Sequence, residues 1–170
     1  MSLILDGSNG VSDIDGSAST PAIRGTDANT GIFFPAADTI AFAEGGTEQM
    51  RLDSAGNLQM NSGYGSVATA YGCRAWVNFN GTGTVAIRGS GNVTSITDNG
   101  TGDYTVNFTS AMPDSNYTIQ YAVGDNGIAS PGVAFAQTST FSTSSNRVLT
   151  VRNDTGATVD VSYCGISVFR

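Results

Sequence analysis

The sequence contains no histidine and no lysine. Losing histidine removes the usual general base, the commonest zinc ligand and the physiological pH switch together. Losing lysine leaves seven arginines against fourteen carboxylates, a net charge of -7. Such a surface does not attract phosphate backbones, so nucleic acid is not an expected partner. Charged residues make up only 12 % of the chain and hydrophobic ones 39 %, which is too apolar for intrinsic disorder. Long apolar runs are also missing, and no basic amphipathic stretch marks a membrane surface, so membrane insertion is not expected. The opening MSLILDGSNG lacks a basic region, which argues against a secretory signal. Cysteine occurs only at Cys73 and Cys164. In a reducing cytoplasm these read as small buried hydrophobes, with a disulfide between them left open. No window keeps a 3.6-residue apolar period, so almost no helix is expected.

What the sequence does contain is glycine, 22 of 170 residues, with frequent Ser, Thr and Asn between short alternating apolar runs. That is the profile of an all-β chain with polar turns. Residues 1–30 are dominated by Asp, Gly, Ser, Asn and Thr and read as an extended attachment segment. Residues 31–74 hold a short meander and a connection. In TIAFAEGGTEQMRLDSAGNLQM, Ile40 and Phe42, Met50 and Leu52, and Leu58 and Met60 fall on three strands. Glu44-Gly45-Gly46-Thr47 and the stretch from Asp53 to Asn57 supply the turns. Six apolar side chains are too few to hold three strands together in water, so this segment needs a partner. Phe33 and Phe34 ahead of Pro35 would form an exposed apolar knot on a lone chain. From residue 75 to 170 alternation recurs in seven or eight runs, which reads as a β-sandwich. Trp76 with Tyr104, Tyr117 and Tyr121 could form a sugar-stacking platform, but residues at strand spacing are more often core, so Trp76 is assigned there, with Tyr117 and Tyr121 at least partly buried.

No catalytic constellation emerges. Glu44 and Glu48 flank a tight turn and read as solvated charges. Asp13-Ile14-Asp15-Gly16 opens like a calcium loop but lacks the later ligands, and Asn99-Gly100-Thr101-Gly102-Asp103 occurs once, so both read as turns. No metal or cofactor and no enzymatic role are expected. Two loops are recognition candidates, residues 124–132 and 137–146. Within them Asp125, Asn126, Phe141, Ser144 and Asn146 are the candidate contact residues, because rigid β scaffolds carry binding groups on such loops.

The segment PAIRGTDANTGIFFPAADTIAFAEGGTEQMRLDSAGNLQM resembles one found near the distal end of many tailed-bacteriophage fibre proteins. The match runs through Gly31 to Pro35, Asp38-Thr39-Ile40, Gly45 to Glu48, Met50 to Asp53 and Gly56-Asn57. The later stretch AWVNFNGTGTVAIRGSGNVTSITDNGTGDYTVNFTSAMPDSNYTIQYAV is similar to a C-terminal tip domain of phage fibres, marine and cyanobacterial ones among them. Together the two matches cover roughly residues 20–123. The resemblance implies a homotrimeric fibre with a short intertwined stalk and a terminal head used in host attachment. The trimer core would then be Ile32, Phe33, Phe34, Ile40, Phe42, Met50, Leu52, Leu58 and Met60. Leu3, Ile4 and Leu5 would meet the baseplate or other tail proteins, or else start the stalk. The expected target is a host surface glycan or outer-membrane component, and the expected location the virion, after synthesis in the host cytoplasm. Many such fibres continue after the Gly-Asn turn into a self-cleaving chaperone domain; here the stretch after it resembles the tip domain instead. The alternatives are a structural virion part without receptor binding and, less favoured by the short chain, a glycan-degrading tailspike.

Overall fold

The computed structural model describes residues 13–124 and 134–170. Every regular element among the described residues is a β-strand, and every strand pairing is antiparallel. The chain divides into two units between Ala70 and Tyr71.

In the first unit, β1 (Ile23–Arg24), β2 (Gly31–Phe33), β3 (Ile40–Glu44), β4 (Thr47–Leu52), β5 (Leu58–Met60) and β6 (Ala68–Thr69) form one sheet in chain order. The anticipated three-strand meander is therefore the centre of a six-stranded one. The polar N-terminal stretch contributes its first strand because Ile23 pairs with Ile32. The β3–β4 turn is set by Gly45 and Gly46, whose φ values of 59° and 77° match the right-handed twist of a tight hairpin. The β4–β5 turn is organised by Asp53. Its carboxylate accepts the Ala55 and Asn57 amides at 3.0 and 2.9 Å and the Gln59 side-chain amide at 2.8 Å. The Asn57 amide and its companions hold the Asp53 carboxyl below the usual carboxylate range. Among the described residues, the buried apolar cluster of this unit is Phe33, Ala41 and Ala43, with Ala18 packed against it.

The second unit holds β7 (Cys73–Asn80), β8 (Ala86–Gly91), β9 (Val93–Gly100), β10 (Asp103–Phe108), β11 (Thr118–Gly124), β12 (Ala134–Phe141), β13 (Ser145–Arg152) and β14 (Tyr163–Phe169). They make two four-stranded sheets, ordered β12-β13-β10-β9 and β11-β14-β7-β8. Alternating residues of both sheets enter one apolar cluster. Val77 and Phe79 from β7 and Cys164, Ile166 and Val168 from β14 meet Tyr104, Val106 and Phe108 from β10 and Val148 from β13. The Phe79 and Tyr104 rings meet edge to face at 5.1 Å. The buried Tyr104 hydroxyl donates to the Asp160 carboxylate at 2.8 Å, and burial raises its pKa.

Two sequence expectations are corrected here. Residues 137–146 are not a long loop: β12 and β13 run through them, leaving a short turn at Ser142–Ser144. Trp76 is not in the core. Its neighbours Ala75 and Val77 are buried, so strand alternation sends Trp76 outward, where it is 46 % exposed.

Candidate functional site

Strand register gathers the apolar residues of the first unit onto one face. Ile32 lies opposite Phe42, Phe42 opposite Met50, and Met50 opposite Met60. Ile40 lies opposite Leu52, which lies opposite Leu58. Partners directly across an antiparallel ladder share a face, so these seven side chains form a contiguous patch. Ile40, Leu52, Leu58 and Met60 each remain 45–47 % exposed, and Ile23 at the sheet edge 49 %. Phe34 lines a hollow together with Ile40 and Leu52. Isolated apolar residues are ordinary on a surface, but a continuous sheet face is not.

Phe33 does not belong to this patch, contrary to the sequence expectation. It pairs with Ala41 on the opposite side of the sheet and is buried by its own chain. Beyond the Phe33, Ala41 and Ala43 cluster, that opposite side carries polar groups. Arg51 forms an ion pair with Glu48, and both line a hollow with Gln59 and Asn61.

The recognition residues proposed in the second unit fare differently. Asp125 and Asn126 lie outside the described residues, as do Leu3, Ile4 and Leu5. Phe141 is 46 % exposed, and its ring centroid stands 5.2 Å from that of Tyr117. Ser144 is exposed in the turn, where its amide donates to Ser142 Oγ at 3.3 Å. Asn146 is fully buried, and its side-chain amide donates to the Thr140 carbonyl at 3.0 Å. It holds the hairpin from inside and presents nothing to a ligand, which corrects its placement among surface contacts. The nearby Tyr117 hydroxyl lies 3.0 Å from the Ser142 carbonyl, and burial raises its pKa. These polar groups brace the turn.

A different surface was missed from the sequence. On the outer side of the sheet β11-β14-β7-β8, Trp76 pairs with Gly91 and Asn78 with Gly89. A side chain on Gly91 would come within 2.5 Å of the indole Nε1, and one on Gly89 within 3.3 Å of the far ring edge. The indole therefore lies across the bare backbone of β8. Beside it the Arg88 guanidinium stands 4.3 Å from the Tyr163 ring centroid and donates to Asn78 Oδ1 at 3.4 Å. Tyr163 is 44 % exposed. The signal in the sequence was the pair of glycines in IRGSG, legible only once the register sets them opposite Trp76.

Both cysteines are free, Cys73 exposed and Cys164 buried. Among the described residues no cluster of three His, Cys, Asp or Glu is arranged to hold a metal. No helix among them is long and apolar enough to cross a membrane. No family model, no curated protein and no solved structure matches the chain.

Proposed function

We propose that this chain is a tailed-bacteriophage fibre protein, a homotrimer that joins the phage tail through its N-terminal segment and adsorbs to the host surface through a β-sandwich tip. The observation that carries the reading is the partly exposed apolar face of the first sheet, formed by Ile32, Ile40, Phe42, Met50, Leu52, Leu58 and Met60. Fully burying one such side chain is worth about 1.5–3 kcal/mol. Covering Ile23, Ile40, Leu52, Leu58 and Met60, each about half exposed, would then contribute roughly 4–8 kcal/mol per chain. Two further copies supply that cover and give a stalk its interior. Three weak tip sites per fibre, and several fibres per particle, would raise avidity without any one strong contact. The resemblance of the stretches around the Gly-Ile-Phe and Gly-Gly-Thr-Glu motifs to phage fibres supplies the biological setting.

Sedimentation velocity tests the assembly. The expected species has three times the 17.4 kDa chain mass, and the Ile40→Asp, Leu52→Asp double variant is expected to sediment as a monomer. Purified trimers are expected to bind host cells and to block virion adsorption. A wild-type monomer at micromolar concentration, or trimers that ignore cells to which virions adsorb, would overturn the reading.

A further inference from the structure

We infer that the outer face around Trp76, Asn78, Arg88 and Tyr163 is a binding platform for an acidic saccharide, stacked on the indole with its carboxylate at the arginine. This deepens the fibre reading and rests on it for its biological role, since it names the class of host-surface group that the tip would recognise.

The indole is the first part of the argument. One of its faces is covered by the backbone of β8, because Gly89 and Gly91 leave room for it, and the side chain is still 46 % exposed. An aromatic ring backed by glycine and open on its other side offers a flat, electron-rich surface. The axial C–H bonds of a pyranose present a flat face of the opposite polarity, while its hydroxyls point outward.

Charge supplies the second part. Residues 71–170 carry five arginines against six aspartates, so most of the net negative charge belongs to residues 1–70, with two arginines against eight carboxylates. Within the second unit Arg147, Arg152 and Arg170 are paired with Asp103, Asp154 and Asp114. Arg74 and Arg88 meet no carboxylate among the described residues. Arg88 is on this face, held over Tyr163 and against Asn78. Arg74 is exposed two residues before Trp76 on the same strand. A guanidinium fixed by a ring and an amide keeps further N–H donors for a ligand carboxylate. Asn78 and Ser167, the strand neighbours of Gly165 and Trp76, add the amide and hydroxyl groups that sugar hydroxyls require.

Trp76 is the single tryptophan of the chain, so intrinsic fluorescence of the intact protein reports on this face alone. The probes are tri-galacturonic acid and the neutral galactose trimer of the same linkage. The expected result is a saturable emission change with the acidic trimer, about tenfold weaker with the neutral one. Arg88→Gln, an exposed substitution, is expected to weaken acidic binding about tenfold with an unchanged melting temperature. Trp76→Ala, followed by calorimetry, is expected to abolish it. Three results would overturn the platform: no emission change with either trimer, equal affinity for both, or an indole already shielded from acrylamide before sugar is added, which would mean that another copy covers the face. Host adsorption separates this inference from the fibre reading. Arg88→Gln trimers that adsorb as wild type would remove the platform and leave the fibre intact, whereas a wild-type protein that binds the sugar but neither trimerises nor adsorbs would remove the fibre and leave the platform.

Discussion

Asn146 carries its hydrogen bonds in a place that water does not reach. Its amide donates to the Thr140 carbonyl, and its oxygen lies 3.5 Å from the Tyr121 hydroxyl. Replacing it with leucine takes the amide donor from the Thr140 carbonyl inside the hairpin, and the expected cost is about 1–3 kcal/mol, read from a denaturant midpoint. Adsorption per folded protein should not change. Cys164 gives a second residue-scale prediction. Burial pushes its thiol up to about 12, so near neutral pH it lacks the thiolate that alkylation requires. Iodoacetamide is expected to label Cys73 in the folded protein and Cys164 only after unfolding, as peptide mass mapping would show. The paired carboxylates give a third. Hydrogen bonds from Arg147, Arg170 and Arg152 hold Asp103, Asp114 and Asp154 below the usual carboxylate range. Their folded pKa values lie under the unfolded value of about 3.9, so their contribution is complete above that value and is lost as pH falls through the folded ones. The melting temperature of the second unit is expected to be flat from about pH 7 to about pH 5 and to fall below about pH 4, the more shallowly because exposed pairs are screened. An unchanged melting temperature at about pH 3 would contradict this.

At the scale of elements, glycine acts by two separate physical routes. Gly45 has open space where a Cβ would stand, so its value lies in the positive φ of the hairpin. Substituting Ala at Gly45 or Gly46 is expected to cost about 1–2 kcal/mol each through the left-handed backbone penalty, seen as a lower melting temperature of the first unit. Gly91 has no positive φ assigned, and its role is clearance for Trp76. Gly91→Ala is expected to leave strand pairing in place and displace the indole, so that the tryptophan emission shifts while the far-ultraviolet spectrum does not.

The two units differ in how far each supplies its own interior. Among the described residues, the apolar cluster of the second unit holds fourteen buried side chains, whereas that of the first unit holds three. A fragment of residues 71–170 is therefore expected to melt cooperatively at a temperature independent of concentration. A fragment of residues 1–70 is expected to gain strand signal only as concentration rises, because in the proposed trimer its apolar face would be completed by other copies. Concentration-independent folding of the short fragment would remove the physical basis of the trimer.

The all-β class, the tight turns and the two-residue apolar alternation were legible in the sequence because backbone sterics and strand period act locally. So was the smallness of the first unit's own core, since the scarcity of large apolar residues in 31–60 can be counted without coordinates, and its buried cluster is Phe33, Ala41 and Ala43. The face that each residue occupies was not legible. It depends on register, and register put Phe33 on the self-covered side, buried Asn146 beneath its hairpin and turned Trp76 outward over two glycines. A one-residue change of alternation or pairing reverses inside and outside, and only the tertiary structure settles which neighbours a strand meets.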